Sequence, residues 1–432
     1  MLSKIVKVLG LLSLTSIICL LCGCQELTLY KDSKGIYGVD PMTMTLFEID
    51  AKNQFRVVHQ FTQGEGKPLA VLRTDTSTFY GICQHQKRFI LFRYRQGKLS
   101  YLQSFPSISS EGFYPFKLVL TPDHRILYII VPQRGAHNTF VLDACTIRGQ
   151  CRVLHHFGRV QPSDLLLGHD GSLYGTAYDV SQTQEPAGGL LFQYNQNTGF
   201  RILHRFKAVE GWGPGNLILG ADGSIYGVTG QKGRYGDGTL FRYDPRSRRF
   251  RVLYAFLKDD GGVFLSAASR YSLYGGSMGG IQGNGYLFSY DLKQDKMRIL
   301  HRFTSGEGGI DTVVLGGDGN LYGTTDYGGK YKEGVLFQFN VARRRYRVLH
   351  VFNPSEGTGI KHTLIWSNAR LYGTVDNSEE GDEWLYTLDI RTRVLRFLHH
   401  FSTNSGNTAS KDITVGRAFE QVLLPCRNAI PA

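Results

Sequence analysis

Short apolar runs, four to a unit, recur along this chain with turn residues between them, and the stretch Leu217–Phe256 shows the unit most clearly. An apolar run at Asn216–Leu219 leads through Ala221-Asp222-Gly223 into Ser224–Thr229. A glycine-rich connection, Gly230–Gly238, is followed by Thr239–Asp244, a polar turn Pro245–Arg249 and a last run, Phe250–Phe256. Apolar and polar positions alternate clearly in Leu240-Phe241-Arg242-Tyr243 and weakly elsewhere, as expected of strands covered on both faces. Asp-Gly between two runs, repeated at Asp170-Gly171 and Asp318-Gly319, predicts a tight hairpin with both central residues at positive φ. Each unit therefore reads as four antiparallel strands in a meander. No stretch carries the 3.6-residue period of an amphipathic helix.

Two series of aromatic residues count the units. A tyrosine, usually followed by glycine, stands at Tyr37, Tyr80, Tyr128, Tyr174, Tyr226, Tyr274, Tyr322 and Tyr372. A phenylalanine closes each unit at Phe61, Phe105, Phe157, Phe206, Phe256, Phe303, Phe352 and Phe401. The spacing of roughly 43–52 residues is that of propeller blades and not of helical repeats. The expected fold is all-β, an eight-bladed β-propeller of four-stranded antiparallel blades, with seven blades as the alternative. The propeller is expected over 24–401, opening with a strand at Leu27–Tyr30. The second and third units are the most degenerate, Tyr128 being followed by Ile129. A polar tail over 402–432 includes Phe419–Leu424, which would add a strand that closes the ring.

The strings Ile225–Asp244, IYGVTGQKGRYGDGTLFRYD, and Leu321–Asn340, LYGTTDYGGKYKEGVLFQFN, resemble the Gloeo/Verruco-type (GloVer) tandem repeat. The resemblance covers essentially Gly35–Phe401 and is strongest in the last six units. It implies a propeller in an exported, surface-anchored protein. It brings no catalytic residues with it.

The first 23 residues read as a signal peptide. Lys4 and Lys7 form a positive n-region, Val8–Leu21 is an apolar stretch short for a membrane span, and Leu21-Cys22-Gly23-Cys24 resembles a bacterial lipobox. Cys24 is then the lipidated residue, acyl chains give stable anchoring, and Gln25 in place of Asp fits outer-membrane sorting. The alternative is an ordinary signal peptide and a soluble secreted product. The net charge of +13 suits lipid phosphate or acidic polysaccharide, and export makes nucleic acid the least expected partner. In an oxidising compartment Cys145 and Cys151, flanking the turn Thr146–Gln150, are placed for a cross-strand disulfide. Cys83 and Cys426 read equally as a second bridge or as two buried thiols. No cysteine spacing is that of a zinc site, and no metal or cofactor is expected.

In a meander, the second-to-third strand loop and the blade-to-blade connection share one end, and these are the longest connections. On that end an acid-glycine pair recurs: Glu65-Gly66, Glu111-Gly112, Glu210-Gly211, Asp260-Gly261, Glu307-Gly308 and Glu356-Gly357. Such a ring of carboxylates would bind a cation or polyol or supply an acid–base pair. Repetition in most blades favours the plainer reading, in which each carboxylate accepts N–H groups of its own turn. Non-repeating features there are Tyr178, Trp212, Tyr235, Tyr327 and Tyr331, with the acidic run Glu379-Glu380-Gly381-Asp382-Glu383. Aromatic faces among polar groups suit sugar or peptide ligands.

The opposite end gathers positive charge at Arg246, Arg248, Arg249 and Arg251, at Arg343, Arg344, Arg345 and Arg347, and at Arg391, Arg393 and Arg396. This face reads as a solvated rim or as a surface for anionic lipid or polysaccharide. Histidines two places before the closing phenylalanine (His59, His155, His204, His301, His350 and His399) read as structural. Gly275-Gly276-Ser277-Met278-Gly279 matches G-x-S-x-G by letter only, since the repeat predicts a strand after it and not a helix. The expected function is a binding or scaffold module of the cell envelope, its ligand a glycan or protein. A polysaccharide hydrolase or lyase is one alternative. An accessory role in envelope assembly, by analogy with the propeller lipoprotein of the outer-membrane assembly machine, is the other.

Overall fold

A computed structural model describes residues 27–106, 117–133, 139–158, 160–179, 188–279, 284–357, 359–377 and 382–402. They form eight four-stranded antiparallel sheets, each built from four consecutive strands, here a to d. The blades span 28–60, 67–106, 118–156, 160–205, 212–257, 263–302, 310–351 and 359–401. This is an eight-bladed propeller, and the seven-bladed alternative falls. The a strands of neighbouring blades contact one another and line the middle. The d strands form the outer edges, as the half-exposed Arg249–Leu257 shows.

The aromatic series is explained by packing. The glycine after each tyrosine lies on strand b, paired across to an aromatic residue on strand c: Gly38 with Phe47, Gly81 with Phe92, Gly275 with Phe288, Gly323 with Phe337. A Cβ at Gly38 would sit 2.7 Å from Phe47 Cζ, and one at Gly275 would sit 2.6 Å from Phe288 Cζ. The tip of the ring thus lies over the glycine, and any side chain there would displace it. Each such ring then meets the closing phenylalanine of the preceding blade, as in Phe206–Phe241 at 5.0 Å and Phe303–Phe337 at 5.3 Å. Blade 3 breaks both halves of this rule together. Its glycine is Ile129, and the residue opposite is Asp143 in place of the ring.

Both faces of every sheet are apolar because each faces a neighbour. Eight hydrophobic clusters result, one at each blade junction. The ring closes in the same way: Leu27, Leu29, Ile36 and Phe47 of blade 1 pack on Tyr372, Leu385 and Phe401 of blade 8. Both end blades are complete, so closure rests on side-chain packing among the described residues. Phe419–Leu424 lies outside them, as do Cys24 and Cys426.

Two local expectations change. At the Asp-Gly turns only glycine takes positive φ, 74° at Gly171, 79° at Gly223 and 78° at Gly319. The aspartate instead accepts the N–H two residues on, Ser172 at 3.0 Å, Ser224 at 3.0 Å and Asn320 at 3.1 Å. An Asx turn, not a two-residue primed turn, connects the strands. Trp212 and Tyr178, expected in loops, belong to strands, opening strand a of blade 5 (Trp212–Leu219) and near the end of strand b of blade 4 (Leu173–Asp179). Backbone pairing extends ahead of the apolar run to Gly215, Pro214 and Trp212. Cys145 and Cys151 are joined by a disulfide across the c–d turn of blade 3, and Cys83 is a buried free thiol.

Candidate functional site

The long-loop end holds the repeated acids and histidines, and the fold brings them together in pairs. His59 meets Glu65 at 3.3 Å, His204 meets Glu210 at 2.9 Å, His301 meets Glu307 at 3.1 Å and His350 meets Glu356 at 3.0 Å. Each carboxylate also accepts the N–H three residues earlier, from Thr62, Lys207, Thr304 and Asn353. Asp260 does the same for Leu257 at 2.8 Å. Glu111 lies outside the described residues. Burial opposes ionisation of Glu307, but the bonds from His301 and Thr304 outweigh it and hold the carboxyl below its usual range. The imidazole then stacks on strand d of the next blade: His155 on Phe200 at 3.4 Å, His204 on Phe250 at 3.6 Å, His301 on Tyr346 at 4.1 Å. His399 stacks on Phe55 of blade 1 at 3.9 Å, across the closing junction. Burial, helped by His400, pushes its pKa down to about 4. These groups cap turns and staple blades, and one oxygen of Glu356 stays buried without a hydrogen-bond partner among the described residues.

Other features of this end stay separate. Tyr235, Tyr327 and Tyr331 are exposed, while Trp212 and Tyr178 are half-buried. Lys232 Nζ lies 4.9 Å over Trp212 and Lys330 Nζ lies 5.3 Å from Tyr331. Tyr327 donates its hydroxyl to Asn284 at 2.5 Å. No ring contact joins these five aromatics among the described residues. Ser277 is fully buried at the end of a strand and donates to the carbonyl of Asp260, so it is no nucleophile elbow. Of the acidic run, Glu379 and Glu380 lie outside the described residues. Asp382 meets His400 at 3.0 Å, and His400 stacks on Trp384 at 4.0 Å.

The short-turn end is organised differently. The strand b tyrosine donates its hydroxyl to the aspartate of its own turn, Tyr174 to Asp170 at 2.7 Å, Tyr226 to Asp222 at 3.0 Å and Tyr322 to Asp318 at 2.7 Å. Burial, with Asp222 adding to it, pushes the Tyr226 hydroxyl up to about 12. Around these turns stand the arginines of blades 5, 7 and 8. Arg248, Arg344 and Arg393 hold left-handed backbone, with φ of 55°, 51° and 57°, where glycine or asparagine would be the less strained choice by about 1 kcal/mol.

A second arginine, on strand d, reaches across each of several junctions. Arg152 donates to Tyr194 at 3.3 Å, and Arg251 donates to Asp295 at 2.5 Å. Arg347 makes no such bond among the described residues, its Nε being buried without a partner; burial, then Arg393 and Arg345 beside it, lower its pKa from the usual range. Between blades 4 and 5 the same end opens into a groove of about 530 Å³, lined by Tyr174, Asn197, Thr198, Arg201, Tyr243 and Arg248 among others. Arg201 was not singled out in the sequence. Its signal, an arginine at the same strand d position in seven of the eight units (Arg56, Arg152, Arg201, Arg251, Arg298, Arg347 and Arg396), is there to read. Its meaning depends on which residue faces it from the next blade.

The fold places the chain among known propellers. It matches Porphyromonas gingivalis dipeptidyl peptidase 4 with a TM-score of 0.55 at 11% identity, over 88% of this chain and 60% of that one. A prolyl endopeptidase gives 0.53 at 13% identity, over 77% and 49%. Prolyl oligopeptidase B from Galerina marginata gives 0.52 at 11%, over 78% and 51%. The chain therefore spans about half the length of these proteins, and at such identities the likeness is one of fold. Among curated proteins, none matches it in sequence. The Gloeobacter/Verrucomicrobia repeat matches residues 90–268 and 262–420. With that match over most of its length, and with the steric rule of the repeat visible in its blades, the chain belongs to the Gloeobacter/Verrucomicrobia repeat family.

Proposed function

We propose that this propeller is an exported, lipid-anchored binding module of the cell envelope whose ligand is a glycan or an envelope protein. One observation carries the reading. The repeated acids and histidines pair with one another within the blades, whereas the arginines of blades 5, 7 and 8 stand at the short-turn end, three of them in left-handed backbone. Arg251 is paired with Asp295, but Arg248, Arg344 and Arg393 make no ion pair among the described residues, and a rigid ring presenting such guanidinium groups suits recognition of an anionic partner.

Topology orients that face. Strand a of blade 1 starts at the long-loop end, and Leu27, three residues after Cys24, is already packed in the ring. A lipid on Cys24 holds the long-loop end toward the membrane and turns the arginines away from it, so polysaccharide or protein is favoured over the anchoring bilayer as their partner.

A glycan and peptidoglycan binding screen on the protein tests the ligand class; absence of any glycan or envelope-protein partner sinks the reading. Anchoring has its own test: Cys24→Ser should lose membrane partitioning, and continued fractionation with membranes would contradict the lipid site. A second reading, catalysis on a polysaccharide, rests on the Asp382–His400 pair. It predicts glycan cleavage that Asp382→Asn abolishes without loss of binding.

A further inference from the structure

We propose that the groove between blades 4 and 5 binds the carboxylate of an acidic sugar, in the place that Asp295 fills one junction further on. The proposal rests on the binding-module reading and adds to it a site and a ligand class.

The two junctions are built to one plan. Between blades 5 and 6, Arg251 donates to Asp295 Oδ1 at 2.5 Å, and Tyr290 donates its hydroxyl to the same oxygen. The carboxylate is thus held by one donor from each blade. Between blades 4 and 5 each position has a counterpart. Arg201 follows Phe200 on strand d, paired to Tyr194, as Arg251 follows Phe250, paired to Tyr243. Tyr243 pairs with Ile225 as Tyr290 pairs with Leu273. Arg248 precedes the residue paired to Asp244, just as Asp295 precedes the residue paired to Asp291. Their backbones agree too, with φ of 55° and 56°.

Both donors are therefore kept while the internal acceptor has become a third donor. No hydrogen bond or ion pair engages the guanidinium of Arg201 or Arg248 among the described residues. The space left is the groove of about 530 Å³, within the range of small-ligand sites. One carboxylate, Asp170, also lines it, and is tied to the Tyr174 hydroxyl and the Ser172 N–H. Two guanidinium groups against one carboxylate leave a single positive charge, which suits one added anion.

The related junctions do not repeat the set. At the next two junctions the strand c position of Tyr243 holds Phe339 in blade 7 and Leu388 in blade 8, neither of which carries a hydroxyl. A carboxylate is favoured over other oxyanions because the group it replaces is one, and planar guanidinium pairing suits it. Asn197 and Thr198 at the rim supply partners for sugar hydroxyls.

Calorimetric titration of the protein with trigalacturonate tests this. The expected result is one site on the unaltered chain, and binding weakened about tenfold or more by Arg248→Asp, which installs the internal carboxylate of the next junction. Asp295→Arg should open a second groove and raise the stoichiometry toward two. Unchanged urea midpoints establish that both variants fold. Maltotriose binding as tightly as trigalacturonate, or inorganic phosphate binding as tightly through Arg248, would overturn the ligand class. Acidic glycan binding that Arg248→Asp leaves intact would overturn the site while the binding-module reading stands. Failure of every glycan and envelope protein to bind would remove that reading itself.

Discussion

Asp143 is where the repeat rule breaks, and the cost of breaking it can be worked out. The side chain is 5% exposed and is paired to Ile129, in a layer with Phe105, Leu127 and Val141. Burial pushes its carboxyl from 3.8 up to about 6, with His156 pulling weakly the other way. Above pH 6 the folded chain therefore holds an ion that its surroundings disfavour. Below 3.8 the group is neutral in both states and the cost vanishes. A shift of this size is worth about 3 kcal/mol at pH 7. Asp143→Leu should recover about that much at pH 7 and lose most of the gain by pH 4. Asp143→Phe alone should destabilise by about 2 kcal/mol, since Ile129 fills the space of the missing ring. Ile129→Gly with Asp143→Phe rebuilds the sibling arrangement, so the pair should be non-additive by about 2 kcal/mol or more. Urea unfolding followed by intrinsic fluorescence at pH 7 and pH 4 reads the parent chain, Asp143→Leu, Asp143→Phe, Ile129→Gly and the double variant. A gain from Asp143→Leu that is the same at both pH values refutes the electrostatic argument, and additive singles refute the steric one.

Other consequences are shorter to state. Gly323→Ala drives a Cβ into the Phe337 ring and the Thr312 carbonyl and should cost about 2–4 kcal/mol, part of it recovered by Phe337→Leu in the same denaturation assay. His301→Ala removes the 3.1 Å bond to Glu307 and the 4.1 Å stack on Tyr346, a loss of about 2 kcal/mol at neutral pH. Because the Glu307 carboxyl is held below its usual 4.5, that difference should be full above pH 4.5 and shrink as the pH falls through the lowered value. Burial pushes the Cys83 thiol up to about 12, so it should resist a thiol reagent at pH 8 in the folded protein and react on unfolding.

The blade count was legible because it rests on local contacts. Tyrosine-glycine and the closing phenylalanine mark residues that meet across one strand pair or one junction, such as Gly323 with Phe337 and Phe303. The histidines and acids were legible one by one but not as pairs, although His301 and Glu307 lie six residues apart. Their bond depends on the turn after the closing phenylalanine folding back on itself. Trp-Gly-Pro-Gly carries turn residues and reads as a loop, whereas pairing of Trp212 to Gln231 and of Pro214 to Thr229 makes it a strand. Nor does the arginine count reveal the groove. Arg201 and Arg248 belong to different blades, and their meaning comes from comparison with Arg251 and Asp295, which requires the register of both junctions.

On the proposed function, the short-turn end with its arginines receives an anionic partner, while the long-loop end is structural and faces the anchor. Amide hydrogen exchange on the protein with and without a saturating acidic oligosaccharide tests it most directly. Protection centred on 195–201 and 245–251 is the predicted result. Protection confined to the long-loop segments around Trp212, Tyr235 and Tyr327–Tyr331, with the arginine turns unchanged, would contradict it.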